Sequence, residues 1–298
     1  MNSGEKEKKM ERLIRYGICE WVLPSRLRGP SAVRAAHDLG LHGISLELGS
    51  AEERFPLADD YIIQLYQEEQ DRCDIAFPAL ACNMTDHFAM TAPRGAPGRD
   101  MVEHALRLSI SAAERLRIPV VQIPSFMSSA IRSEEELWQA AECLRYACDL
   151  ASVSGIIIGT ENCLTTEWQM REMELVARDN FKVYFDTQNY HLQTGAYAPD
   201  VAERLFPYIV QVHLKDGIRQ GGNTLIGAGE SDALKSVDRL VEQGYTGWMI
   251  FENNYFTPPL AGSGRDSYEL IKEDLTAVSK YVEDCRGRYS FQRGSEET

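Results

Sequence analysis

Short apolar runs recur along this chain and alternate with longer, more polar segments. The runs cover residues 15–19, 43–48, 78–82, 119–123, 155–161, 182–186, 208–213 and 248–252. Apolar runs of this length, bounded by polar residues, are typical of parallel strands that are buried on both faces. The pattern therefore predicts eight strands.

Helical periodicity fills the segments between these runs. The clearest helix starts at Ser133, which forms a capping box with Glu136 and precedes apolar residues spaced three and four apart. The other predicted helices cover 31–39, 57–74, 99–117, 167–179, 199–206, 232–243 and 266–284.

The regular alternation of strand and helix predicts the fold class. Eight such units are expected to close into a single (β/α)8 TIM barrel. A doubly wound open sheet would be favoured by a glycine-rich loop after the first strand, but Cys19–Arg28 contains no glycine. No internal boundary is visible, so we expect one catalytic domain over 13–286, with tails at 1–12 and 287–298.

Composition narrows the class of protein. The chain is 44% hydrophobic and 26% charged, and its net charge of −14 disfavours nucleic acid as a partner. The seven cysteines form no CxxC pair, so neither a disulfide framework nor a zinc ribbon is predicted. No signal peptide or membrane-spanning run is visible. The expectation is a cytoplasmic protein that does not bind a membrane.

Polar side chains close the last four predicted strands, which end on Glu161, Asp186, His213 and Glu252. One carboxylate in such a place would be explained by a helix cap or a loop salt bridge. Strands of a TIM barrel, however, end at one mouth, and three carboxylates meeting there without a cation would repel one another. Three oxygen donors and one nitrogen donor suit Mn²⁺, Mg²⁺ or Co²⁺. The strand ends therefore predict one divalent metal ion per chain.

Four stretches carry a family resemblance: YFDTQN, VQVHLKDG, IGAGESD and the eighth strand with its final glutamate. Over about residues 13–285 the chain resembles the sugar isomerase/epimerase group of xylose-isomerase-like TIM barrels. The resemblance implies that the metal, most often manganese, is held by the four residues just named. It also implies that Glu161 and Glu252 are an acid/base pair on opposite faces of the substrate. Proton abstraction beside a carbonyl would then give a metal-stabilised enediolate.

Several polar residues near the predicted mouth are candidates for substrate contact. They are Arg219, Asn189, His87, Glu47 and Lys215. Arg219 lies six residues after His213, where the resembling enzymes have an arginine that assists substrate binding. Asn189 stands where those enzymes have a histidine, so the substrate is expected to differ. We also expect Lys215 and Asp216 to form an ion pair that orients the following loop.

Two other activities share part of this pattern. A metal-dependent lyase or dehydratase acting on a keto-sugar or keto-inositol would begin with the same proton abstraction, with His87 or His191 as the acid. An apurinic endonuclease of the same barrel type would need more strand-end histidines than this chain's six allow. The expected partner is a small sugar or keto-polyol, and the resemblance implies a homodimer or homotetramer.

Overall fold

Eight parallel strands form the barrel in the computed structural model, which describes residues 13–296. They are β1 (Ile14–Cys19), β2 (Gly43–Glu47), β3 (Leu80–Ala81), β4 (Val120–Pro124), β5 (Ile157–Glu161), β6 (Phe181–Asp186), β7 (Ile209–Leu214) and β8 (Gly247–Phe251). The barrel is closed, with neighbours in the order β1-β8-β7-β6-β5-β4-β3-β2. Every predicted strand is present and its ends lie within two residues of the prediction, so the fold prediction is confirmed.

Eight main helices alternate with these strands. They are α1 (Ser31–Asp38), α2 (Asp60–Cys73), α3 (Pro97–Leu116), α4 (Glu134–Ser152), α5 (Thr166–Val176), α6 (Ala198–Leu205), α7 (Ala233–Glu242) and α8 (Ser267–Glu296). Ser133 caps α4 as predicted, because its side chain accepts a hydrogen bond from the Glu136 N–H. Among the described helices, none combines the length and apolarity needed to cross a membrane.

The C-terminal end differs from the prediction. A tail was expected from residue 287, but α8 continues to Glu296. Asp238 on α7 explains the extension, because it accepts hydrogen bonds from Cys285, Arg288 and Tyr289 at 2.8, 2.6 and 3.1 Å. These contacts hold α8 helical past Gly287. The predicted N-terminal tail, 1–12, lies outside the described residues.

The described chain falls into two compact units, and the first contains residues 17–184 and 208–210. Its core includes a buried cluster of Ala79, Val120 and Tyr184, against which Ile157 and Val210 pack. Strands β4 and β5 are paired in register from their first residues to their last. Glu161, the last residue of β5, is therefore paired with Pro124 at the end of β4.

The second unit contains residues 13–16, 185–207 and 211–296 of the described chain. Strands β7 and β8 are paired there, with His213 opposite Ile250. Backbone hydrogen bonds continue past the strand ends, from the Thr187 N–H to the His213 oxygen at 3.1 Å and from the Glu252 N–H to the Leu214 oxygen at 3.0 Å. The ends of β6, β7 and β8 are thereby fixed beside one another.

Candidate active site

Asp186 ends β6 and is fully buried. Its Oδ1 atom accepts the backbone N–H groups of Gln188 at 2.7 Å and of Asn189 at 2.6 Å. The carboxylate therefore makes the turn that ends the strand and is held in one orientation by it. A turn-forming role and a ligand role are compatible in this residue, since both hydrogen bonds use the same oxygen.

His213 and Glu252 lie beside each other at the ends of β7 and β8. The imidazole Nδ1 is 3.3 Å from Glu252 Oε2, and the Lys215 ammonium is 3.1 Å from that same oxygen. Thr187 fixes the backbone of Lys215, because its hydroxyl donates to the Lys215 oxygen at 2.7 Å and accepts from the Lys215 N–H at 2.9 Å. The Glu252 carboxylate is thus oriented by two neighbouring side chains.

Three of the four predicted metal ligands belong to the second unit and lie together in it. Asp186, His213 and Glu252 each offer one ligand atom, and these atoms are within 4.8 Å of one another. Two carboxylates and one imidazole are hard and borderline donors, which suit divalent ions such as Mn²⁺ and Mg²⁺. The residues present therefore fit a divalent cation.

Glu161, the fourth predicted ligand, is in the first unit at the carboxyl end of β5. It is buried, and the Gln122 side-chain amide donates to its Oε2 atom at 2.5 Å. Gln122 was missed in the sequence analysis. A signal was available, because an amide side chain interrupts the apolar run of the fourth strand.

A buried carboxyl group supports the loop that follows Glu161. Glu172 on α5 is fully buried and accepts from the side-chain amides of Gln169 at 2.9 Å and Asn162 at 3.3 Å. Burial raises the pKa of Glu172 to about 7, although these two amide donors act to lower it. Asn162 directly follows Glu161, so Glu172 helps to fix the end of β5.

Replacing Glu172 with glutamine should change how stability depends on pH. The folded-state pKa of about 7 lies above the ordinary value of 4.5, so the stability contributed by this group is complete below about pH 4.5 and is lost as the pH rises through 7. A neutral amide has no such loss. As the pH rises from 4.5 to 8, we expect the free energy of unfolding of Glu172→Gln to increase by about 3 kcal/mol relative to that of the wild type.

Urea denaturation at several pH values measures this difference. Glu174→Gln is the matched control, because Glu174 is exposed on the same helix and should leave the pH dependence of unfolding unchanged. A Glu172→Gln difference from the wild type that stays constant with pH would contradict the assigned shift.

One predicted contact among the substrate-contact candidates of the second unit is not formed. Lys215 does not pair with Asp216 as expected; its ammonium contacts Glu252, while the Asp216 carboxylate turns to backbone N–H groups. Arg219 is exposed, and its guanidinium donates to the His191 oxygen at 3.1 Å. Asn189 is buried in the turn made by Asp186.

The two candidates in the first unit have different surroundings. Glu47 is half-buried at the end of β2, where it accepts from Asn83 Nδ2 at 3.1 Å and lies 3.6 Å from the Arg28 guanidinium. Burial raises the pKa of Glu47, and Asn83 and Arg28 oppose that change. His87 is exposed at the end of a short helix, Met84–His87.

Asn253 is a second residue that sequence reasoning missed. It is fully buried directly after Glu252, its Oδ1 accepts the Asp216 N–H at 3.1 Å, and its Nδ2 donates to the Thr224 oxygen at 2.8 Å. The side chain therefore joins the end of β8 to the loop after β7. An amide immediately after a strand-terminal glutamate was the available signal.

Comparisons of sequence and of structure with known proteins both find epimerases. A 2-epi-5-epi-valiolone 7-phosphate 2-epimerase from Actinoplanes sp. is 29% identical over 229 residues, which cover 76% of this chain and 82% of the epimerase. A D-allulose 3-epimerase from Methylomonas sp. has a similar structure, with a TM-score of 0.68, 18% identity and coverage of 91% of this chain and 98% of its own.

A xylose isomerase-like TIM barrel protein from Mycobacterium smegmatis, solved in complex with magnesium, gives a TM-score of 0.65 at 15% identity, covering 86% of this chain and 89% of its own. Structural similarity at identities this low shows a shared fold and nothing further. The family described as xylose isomerase-like TIM barrel matches residues 33–275. The chain therefore belongs to the xylose isomerase-like TIM barrel family.

Proposed function

We propose that this chain is a divalent-metal-dependent sugar isomerase or epimerase that moves a proton on the carbon beside a carbonyl. The observation that carries the proposal is the convergence of Asp186, His213 and Glu252, whose potential ligand atoms lie within 4.8 Å of one another. The lysine that contacts Glu252 adds a cation beside the group. Such a set combines metal ligands with a carboxylate able to carry a proton.

Glu161 is proposed as the fourth ligand, with one divalent ion per chain. Support comes from its burial at the carboxyl end of β5 and from the Gln122 amide, which donates to its Oε2 atom at 2.5 Å. Its place at the end of β5, next to β6 in the strand order, is also as the proposal requires. Mn²⁺ is the proposed metal, and the magnesium complex of the Mycobacterium smegmatis protein supports a hard cation of this kind.

The proposed division of labour follows from the chain's own side chains. A divalent ion bound there would act as a Lewis acid toward the substrate carbonyl. Glu161 and Glu252 would remove and return the proton, one on each face of the substrate. Gln122 and Lys215 would hold these two carboxylates in place through their contacts of 2.5 and 3.1 Å. Arg219 would donate to substrate hydroxyl groups.

The comparisons support proton transfer with retention of the substrate's atoms. The Actinoplanes relative and the Methylomonas structure are both named as epimerases, one of a cyclitol phosphate and one of a ketose. Epimerisation with one proton-handling group on each face of the substrate needs two such groups, and the two glutamates would supply them.

Turnover in D2O tests this proposal. The manganese-loaded chain is incubated with a panel of ketoses and keto-inositols, and products are analysed by mass spectrometry. We expect an isomeric product that has gained one deuterium, because the abstracted proton exchanges with solvent before it is replaced. Loss of water would establish a lyase instead, and an isomer without deuterium would indicate hydride transfer. Metal-free protein serves as the control and should be inactive.

A further inference from the structure

The loop between β7 and α7 has the composition and position of a phosphate-binding loop. Residues 216–232 include five glycines and follow the seventh strand, where TIM barrels frequently bind phosphate through backbone N–H groups. We call residues 217–231 the glycine-rich loop. Its backbone donors determine whether it is able to bind a substrate phosphate.

The Asp216 carboxylate accepts five hydrogen bonds from the glycine-rich loop. Its Oδ1 accepts from the Gly217 N–H at 2.9 Å, the Ser231 hydroxyl at 2.5 Å and the Ser231 N–H at 3.4 Å. Its Oδ2 accepts from the N–H groups of Gly227 at 2.8 Å and Gly229 at 3.2 Å. Asp216 is fully buried, so these donors of the loop bind an anion from the chain itself.

A glycine is required at one of these donors. A Cβ atom at Gly229 would collide with the Asp216 carboxylate and would lie 2.5 Å from the Gly217 nitrogen. The absence of a side chain at Gly229 therefore serves the approach of the backbone to an internal carboxylate. In a phosphate-binding loop, a glycine would instead allow the phosphate to approach the backbone.

A second buried carboxylate holds the outer part of the glycine-rich loop. Asp274 on α8 accepts the Ile226 N–H at 2.9 Å and the Tyr255 hydroxyl at 2.7 Å. Asn253 links this group to the loop, since it donates to Asp274 at 3.4 Å and to the Thr224 oxygen at 2.8 Å. The backbone of Ile226 and Thr224 is therefore hydrogen-bonded to side chains of the protein itself.

The charges of this segment also disfavour a second anion. Residues 215–232 carry two cationic side chains, Lys215 and Arg219, and three acidic ones. Lys215 contacts Glu252 at 3.1 Å. A phosphate dianion placed at the donors of Gly227 and Gly229 would have to displace Asp216 and leave a buried carboxylate without its hydrogen bonds, which is costly.

We infer that the glycine-rich loop faces hydroxyl groups and that the substrate is an unphosphorylated keto-sugar or keto-polyol, because Asp216 occupies the place that a substrate phosphate would take. This inference rests on the proposed function and narrows its substrate class. It makes Asp216 a positioning residue, which orders the loop that carries Arg219. It also separates this chain from its Actinoplanes relative, whose name specifies a phosphorylated substrate.

Paired substrates test the inference directly. D-fructose, D-tagatose and D-allulose are compared with their 6-phosphate esters as substrates of the manganese-loaded chain, each by kcat/KM. We expect a free sugar to be preferred over its ester by about tenfold or more, equivalent to one charge-assisted hydrogen bond or one unfavourable anion contact. Preference for an ester by the same factor overturns the inference while leaving the proposed function intact.

Hydrogen exchange gives a measurement that does not depend on turnover. In the wild type, the amides of Gly227, Gly229 and Ser231 should be protected, and inorganic phosphate should not change their exchange. Asp216→Ala should expose these amides, and added inorganic phosphate should restore their protection because it fills the vacated site. Protection that phosphate increases in the wild type overturns the inference, even where no sugar is turned over.

Ser231→Ala provides the same hydrogen-exchange test if Asp216→Ala does not fold. This variant removes one donor to Asp216 and leaves the carboxylate in place. We expect its loop amides to exchange moderately faster, with phosphate still without effect. A Ser231→Ala loop that phosphate protects would show that the loop accepts an external anion, which contradicts the inference.

Discussion

Asp186→Asn is expected to lower the affinity for divalent metal by about a hundredfold or more and to reduce turnover by about 10²–10³-fold. The amide keeps an oxygen that can accept from the N–H groups of Gln188 and Asn189, so the turn after β6 should survive. It lacks the negative charge that the proposed metal site needs. Elemental analysis after dialysis, together with initial rates, measures both effects.

Two variants provide controls for this result. Asp200→Asn changes an exposed carboxylate on α6 and should leave metal content and rate unchanged. Arg219→Ala should keep the metal and lower kcat/KM, because the role proposed for its exposed guanidinium is contact with the substrate and not with the ion. Full metal content together with full turnover in Asp186→Asn would refute the metal-centre proposal.

Glu161→Gln and Glu252→Gln should each reduce net turnover by about 10²–10⁴-fold, the usual contribution of a general acid or base. If the two carboxylates serve opposite faces of the substrate, each variant keeps one proton-handling group. The remaining group should still exchange the substrate proton with D2O in one epimer, without forming the other. We therefore expect the two variants to label different epimers when both are assayed at saturating Mn²⁺.

Glu203→Gln is the matched control for the glutamate pair, because Glu203 is exposed on α6. It should retain both turnover and exchange in both epimers. Exchange in the same epimer by Glu161→Gln and Glu252→Gln would mean that one carboxylate handles both faces, and the acid/base assignment would then be wrong.

Residues close to a strand end could be predicted because the barrel imposes their position. Asp186, His213 and Glu252 each close or directly follow a run of apolar residues, and parallel strands leave little freedom in where such residues lie. The ends of the strands were predictable for the same reason, to within two residues. The extension of α8 was not, because Gly287 discourages a helix locally and the hydrogen bonds to Asp238 come from a different helix.

Partners of side chains could be predicted much less well. Lys215 and Asp216 are adjacent in sequence, and this suggested an ion pair, but neighbours along an extended segment point in different directions. The lysine contacts Glu252 and the aspartate contacts amides up to fifteen residues later. Gln122 and Asn253 were overlooked because their partners are distant in sequence: Gln122 contacts Glu161 on β5, and Asn253 contacts the loop after β7 and Asp274 on α8. The single-domain boundaries, the oligomeric state and the cytoplasmic location stay predictions.

The carboxylate inside the glycine-rich loop has a consequence for the thermodynamics of substrate binding. Glycine-rich segments that are mobile lose conformational entropy when a ligand orders them, and each immobilised side chain alone costs about 0.5–1.5 kcal/mol. Here the loop loses that entropy during folding, before any ligand is present, because it is already hydrogen-bonded to Asp216, Asn253 and Asp274. The binding free energy of a substrate is then available to align its reacting carbon with the carboxylates, which is what preorganisation contributes to catalysis.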